Sequence, residues 1–129
     1  MARIVHLAIK VDDLDKATKF YEEVFGFKHI KTGRNGQHIS RHMSDGNLDL
    51  ALMIYDSETS PEAQLAGPGP RLHHFGIEVD DREDYVKKIK EYGGTILSQE
   101  EAGALKFRAP DGTIAEVVHR GRYDDAKQK

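Results

Sequence analysis

The sequence predicts an α+β fold in which two βαβββ modules form curled mixed sheets around a cup. Three observations carry that expectation: a repeat spaced by 68 residues, strand-like alternation at the head of each copy, and a helical stripe after it. Sliding the chain by 68 residues lays His6-Leu-Ala-Ile-Lys-Val-Asp-Asp13 on His74-Phe-Gly-Ile-Glu-Val-Asp-Asp81, and the match runs without a gap to Gly26 on Gly94. Eight of these 21 positions are identical, Lys19 on Lys87 and Glu23 on Glu91 among them. Unrelated strand-turn-helix units would share the Val-Asp-Asp caps but not a histidine at the same place in each strand, so duplication explains the pattern.

The elements follow in order. Residues 3–11 alternate, with Ile4, His6, Ala8 and Lys10 on one face and Val5, Leu7, Ile9 and Val11 on the other, as in a half-buried strand. Asp12 or Asp13 caps a helix whose buried stripe is Ala17, Phe20, Tyr21 and Val24, and Gly26 ends it. Strands are expected over about 27–33, 37–44 and 47–55, with turns at Gly33-Arg-Asn-Gly36 and Asp45-Gly46. The first module thus spans about 3–55, and residues 56–70, rich in Pro, Gly and Ser, form a linker. The second module, about 71–120, has a strand at 71–79, a helix at 81–92 and strands near 95–100, 103–109 and 113–119. Pro110-Asp-Gly112 makes its last turn, and the polar tail 121–129 is expected to fray.

Composition narrows the function classes. A chain of 129 residues suits one domain. No apolar run approaches the roughly 20 residues that cross a bilayer, and the N-terminus lacks a secretory pattern. Without cysteine there is no disulfide, thiol nucleophile or thiolate ligand. A net charge of −3 gives no electrostatic case for nucleic acid or an anionic membrane. The expected setting is the cytoplasm, and the expected partner is a small-molecule substrate.

Three residues carry the chemistry. His6 and His74 lie opposite the aliphatic stripe, so they point into the concave side of the sheet. Glu116 shares that direction, because it alternates away from Ala115 and Val117 in Thr113-Ile-Ala-Glu-Val-Val118. A carboxylate in an apolar strand is costly without a partner. A divalent cation held also by neutral imidazoles supplies one, and a buried salt bridge between Glu116 and a histidine is the alternative. His38 and His42 share a face of the third strand and are candidate general acids or bases, against the plainer reading of a solvated strand face. His73 and His119 are expected to point away from the cup.

The run from His6 to Tyr21, the Phe25-Gly-Phe27 after it, His74-Phe-Gly-Ile-Glu-Val-Asp80 and Pro110-Asp-Gly-Thr-Ile-Ala-Glu116 resemble the vicinal oxygen chelate superfamily. That superfamily includes glyoxalases, extradiol dioxygenases, fosfomycin resistance enzymes, methylmalonyl-CoA epimerases and bleomycin-binding proteins. The resemblance spans about 3–120 and implies that His6, His74 and Glu116 bind the metal. It also implies that two βαβββ units pair around each metal, within one chain or by exchange between two, in a homodimer. The family's fourth ligand belongs in Leu48-Asp-Leu-Ala-Leu-Met53. If Leu48, Leu50 and Leu52 face the core, Ala51 takes that position and leaves three protein ligands, with Asp49 as the competing assignment. Two histidines and one carboxylate with open positions favour Fe(II) or Mn(II), with Zn(II) or Ni(II) as alternatives, and tilt the expectation toward extradiol-type dioxygenase chemistry. A glyoxalase I-like lyase, an epimerase, a fosfomycin-type thiol transferase and a metal-free binding protein of the bleomycin-resistance type are the other readings. Where glyoxalase I contacts glutathione, the resemblance puts Lys10 and roughly Asp56.

Overall fold

The computed structural model describes residues 1–99 and 104–127. The first half runs β1 (Arg3–Lys10), α1 (Leu14–Phe25), β2 (Lys28–Asn35), β3 (His38–Ser44) and β4 (Asp49–Tyr55). A one-turn helix, α2 (Pro61–Gln64), breaks the connection to β5 (Arg71–Val79), α3 (Arg82–Glu91), β6 (Thr95–Gln99), β7 (Leu105–Arg108) and β8 (Ile114–His119). Residues 100 and 103, at the edges of two expected strands, lie outside the described residues, as do 128 and 129 of the tail.

Local chemistry sets the boundaries. Asp13 accepts a hydrogen bond from the Lys16 amide and caps α1, while Gly26, at φ 72°, closes it in the left-handed conformation that glycine adopts at least cost. The first hairpin is tighter than expected. β2 continues through Gly33 and Arg34 to Asn35, and the turn is Gly36-Gln37, because Gly36 is the residue with positive φ (62°).

All eight strands form one sheet in the order β2-β3-β4-β1-β5-β8-β7-β6. Within each half the first strand lies parallel to the last, β1 to β4 and β5 to β8, and β1 meets β5 antiparallel at the centre. Both modules that build the cup therefore come from one chain. The helices cover one face. Leu14, Ala17 and Tyr21 of α1 pack on Met43, Leu50 and Leu52, and Tyr85, Val86 and Ile89 of α3 pack on Val79, Leu105 and Val117.

Two expectations need correction here. Phe20 and Val24 are 52% and 56% exposed, because the sheet reaches only the Leu14–Ala17–Tyr21 edge of the wider apolar arc on α1. Val5 does not join Leu7 and Ile9 but packs with Ala104, Val118 and Tyr123. The cause is a pair of β-bulges. The β1–β5 register shifts between Ile4 and His6 and between Ala8 and Ile9, which leaves Val5 on β1 and His73 on β5 as extra residues. These two are equivalent positions in the repeat. A bulged residue loses strict alternation, so its side chain is re-aimed.

Candidate metal centre

The central strands bring the three expected residues together. His6 on β1, His74 on β5 and Glu116 on β8 are each 7% exposed or less. His6 Nε2 stands 3.3 Å from His74 Nε2 and 3.5 Å from Glu116 Oε1, and His74 Nε2 is 3.3 Å from Glu116 Oε2. Ligands about 2.1 Å from one ion lie roughly 3.0–3.4 Å apart at octahedral or tetrahedral angles. Direct ion pairing through a hydrogen bond is shorter, about 2.7–2.9 Å, so the spacing suits a shared cation better than a closed salt bridge.

The hydrogen bonds around the ring assign the tautomers. Asp49 Oδ2 lies 2.5 Å from His6 Nδ1, so that nitrogen donates and, in the neutral ring, His6 Nε2 carries a lone pair. On β5, His73 Nε2 donates to the Glu62 carbonyl at 2.7 Å, leaving His73 Nδ1 to accept from His74 Nδ1 at 2.7 Å. His74 Nε2 is then also a bare lone pair. Two lone pairs and a carboxylate turned toward one point repel each other, and a divalent cation among them removes the repulsion. The residues fit the metal that the resemblance implies.

Electrostatics agrees. Burial lowers the His74 pKa, partly opposed by Glu116, and burial likewise lowers His73 to about 4, so both imidazoles are neutral. Burial alone would raise the Glu116 carboxyl, but the ammonium of Lys106, and the imidazoles of His74 and His6 whenever they are protonated, hold it well below the ordinary range. Lys106 Nζ is 3.7 Å from Glu116 and 3.5 Å from Glu62.

Register explains the open side. Ala8 pairs with Ala51 in the first module as Gly76 pairs with Glu116 in the second. By internal symmetry Ala51 is the counterpart of Glu116, so a methyl group stands where the other half supplies a carboxylate. Asp49, two residues earlier, pairs with His6 itself and bonds to its Nδ1, the nitrogen facing away from the centre. Gly76 gives the ligands room: a Cβ there would lie 3.0 Å from His6 Cβ and 3.4 Å from Glu116 Cγ.

The two candidate acid–base histidines part company. His42 Nδ1 donates to both oxygens of Asp49, at 2.9 and 3.0 Å, and His42 sits across the strands from Ala51. Burial alone would raise the Asp49 carboxyl, and the bonds from His42 and His6 outweigh it and lower the pKa. His38 pairs instead with Tyr55, four residues or about 13 Å along β3. Its pKa is lowered by burial, and its Nδ1 has no hydrogen-bond partner among the described residues. Both histidines line a cavity of about 240 Å³ with His6, His74, Glu116 and Ala51.

Three residues take roles that the sequence does not predict. The sequence offers Asp49 only as a competing ligand, whereas it orients His6 and His42. Strand alternation turns His73 away from the cup, a direction the bulge reverses. Tyr123 lies in the tail that the sequence predicts to fray, yet its ring stacks on His6 at 4.3 Å and 3°, and its hydroxyl donates to Glu116 Oε1 at 3.0 Å. Burial raises the Tyr123 pKa. Ser44 bonds to the Ala126 carbonyl and Gly46 bridges to Lys127, which ties the tail across the cup. The only signal in the sequence was a single aromatic residue in a polar stretch.

Comparison with known proteins agrees with this architecture. A family model described as Glyoxalase/Bleomycin resistance protein/Dioxygenase superfamily matches residues 3–117. The lactoylglutathione lyase of Neisseria meningitidis is 25% identical over 96% of this chain and 95% of its own length. A probable lactoylglutathione lyase of Vibrio parahaemolyticus is 29% identical over 90% of this chain and 89% of its own. Among solved structures, a hypothetical protein from Bacillus halodurans C-125 has a TM-score of 0.80 at 20% identity, covering 94% of this chain and 96% of its own. Methylmalonyl-CoA epimerase from Mycobacterium tuberculosis has a TM-score of 0.72 at 20% identity, covering 90% and 86%. At these identities the structural likenesses speak to the fold.

Proposed function

Because the chain belongs to the Glyoxalase/Bleomycin resistance protein/Dioxygenase superfamily, we propose that it is a metal-dependent lyase or isomerase acting on a compact substrate with two adjacent oxygens. The observation that carries this reading is the convergence of two imidazole lone pairs and one carboxylate beside an Asp49–His42 pair. His6, His74 and Glu116 hold the divalent cation, and Ala51 leaves its substrate side open. When bound, such a cation supplies Lewis acidity toward the substrate oxygens. Mn(II), Fe(II), Zn(II) and Ni(II) all suit this donor set, and a preference for iron would need the oxygen chemistry that the lyase reading does without.

His42 is the base. Asp49 fixes its Nδ1–H, so Nε2 is the nitrogen left to accept a proton from the carbon next to the substrate carbonyl. The electron pair freed from that C–H bond spreads onto the carbonyl. The imidazolium that forms is stabilised by the Asp49 carboxylate and returns its proton to the neighbouring carbon, while the substrate's hydroxyl proton passes to the former carbonyl oxygen and the hydroxyl-bearing carbon becomes the new carbonyl. Tyr123 shields His6 from water and Lys106 offsets the charge of Glu116.

Similarity to lactoylglutathione lyases favours this chemistry over the extradiol dioxygenase expected from an open ligand set. The glutathione moiety is a weaker match. Lys10 is already engaged by Glu58 at 3.1 Å and the Gly67 carbonyl at 2.9 Å, and Asp56 by Arg34 at 2.8 Å. The cavity of about 240 Å³ is also smaller than the ~300–1,000 Å³ of pockets that enclose drug-sized ligands. The test loads the protein with Mn(II), Ni(II) or Zn(II) and supplies methylglyoxal with glutathione, then small 2-hydroxycarbonyl compounds, then catechols in an oxygen electrode. Metal-dependent isomerisation without oxygen uptake is expected. Oxygen consumption with a catechol would restore the dioxygenase reading.

A further inference from the structure

We propose that His73 is a positioning residue that holds the His74 imidazole as its Nδ1–H tautomer, so that the His74 Nε2 lone pair faces His6 and Glu116. The inference rests on the reading of His6, His74 and Glu116 as metal ligands, and it explains a residue that ordinary strand alternation would send to the helical face. The β1–β5 register passes from Ala8–His74 to Ile9–Leu72 and leaves His73 unpaired as the bulged residue. Its ring is thereby brought to the same side as that of His74, with the two rings 5.0 Å apart and nearly perpendicular.

Donor and acceptor roles then follow in sequence. The Glu62 carbonyl can only accept, so His73 Nε2 must donate to it at 2.7 Å. A neutral imidazole that donates from Nε2 accepts at Nδ1. The atom at 2.7 Å from that Nδ1 is His74 Nδ1, which must therefore carry the proton. The carbonyl that sets the whole relay belongs to α2 in the connection between modules, whose start is fixed by the Ser60 cap on the Ala63 amide. The loop is thus wired to the metal centre through two imidazoles.

The repeat supplies an internal control. Val5 occupies the equivalent bulge ahead of His6, and valine can accept nothing. In that half the same task falls to Asp49, which reaches His6 Nδ1 from the neighbouring strand. Each candidate ligand histidine has one acceptor on Nδ1, provided in different ways by the two halves of a duplicated chain. Outer partners of this kind typically change metal affinity 10- to 100-fold.

The experiment combines ¹⁵N imidazole NMR of metal-free protein with zinc titration calorimetry on the wild type, His73→Leu, His73→Asn and His74→Ala. In the wild type His73 should appear as the Nε2–H tautomer and His74 as Nδ1–H. His73→Leu should mix the His74 tautomers and weaken zinc binding about 10- to 100-fold. His73→Asn, whose Oδ1 can accept near the lost Nδ1, should recover most of the affinity. His74 found as Nε2–H in the wild type, or His73→Leu binding zinc like the wild type with His74 still Nδ1–H, overturns the proposal. Equal zinc binding by wild type and His74→Ala instead refutes the ligand assignment, and the metal-free spectra still decide the role of His73. If circular dichroism shows that His73→Leu is unfolded, the wild-type tautomers and the Asn variant carry the decision.

Discussion

Asp49 has the most demanding position of any single residue in the cup. It is 2% exposed, and its two oxygens take N–H bonds from His6 and His42. One carboxylate therefore orients a candidate ligand and the candidate base. Asp49→Ala should weaken metal binding about 10- to 100-fold and also lower turnover at saturating metal, because His42 loses its Nδ1 partner. A calorimetric titration paired with metal-saturated kinetics checks both. If kcat at saturating metal equals that of the wild type, His42 is not the base. Gly76 is the second sensitive point. Gly76→Ala places a methyl group against His6 and Glu116, so it should cost about 1–3 kcal/mol of stability by overpacking, seen as a lower denaturation midpoint.

Among the elements, the C-terminal segment does most that its composition does not announce. Tyr123 covers His6 and bonds to Glu116, and Ala126 is 2% exposed. Tyr123→Phe keeps the stack and loses a hydrogen bond to a charged acceptor, worth about 1.5–3 kcal/mol. Metal should then dissociate several-fold faster. A chain ending at Arg120 should lose metal faster still, and stopped-flow exchange into a chelator ranks the three. Equal rates would show that the tail only rests on the cup. The strands themselves were legible because period-two alternation and a repeated histidine are local signals: Leu50 and Leu52 face α1, and Ala51 and Met53 line the cavity, as parity requires. The bulges at Val5 and His73 were not legible, because a bulge arises from pairing between strands about 68 residues apart. Tyr123 was hidden for the same reason. Its value lies in what it meets across the fold, and nothing beside it in the chain records that.

For the whole molecule, the β1–β5 junction completes the cup within one chain. We propose a homodimer in which the exposed Phe20, Val24 and Phe25 of α1 lie at or near the contact. Metal affinity should then stay constant when light scattering shows the dimer diluted to monomer. A loss of affinity on dilution would mean that the modules exchange between chains. Acid should act on the fold as a unit. His38, His73 and His74 have folded pKa values below the usual 6.5, so the unfolded chain binds more protons as pH falls below about 6.5, for His73 down to its folded value of about 4. Stability of the metal-free protein is full above that window and should fall as pH drops through it. The lowered carboxyls of Asp49 and Glu116 add a further loss at still lower pH. Equilibrium denaturation between pH 7 and pH 4 checks the first part, and a flat profile would contradict it.

The methyl group of Ala51 has a consequence for handedness. In a duplicated chain a carboxylate at that position would give the centre near two-fold symmetry, and a planar substrate could present either side to equivalent surroundings. With alanine there and His42 directly across the strands from it, the base we propose lies on one side only among the described residues. A carbonyl compound seated in that gap exchanges its proton with a single diastereotopic face. The product should therefore be one enantiomer, and deuterium from solvent should enter it with a single configuration. Chiral chromatography and NMR of a reaction run in D₂O would read both. A racemic product would require a second proton donor opposite His42.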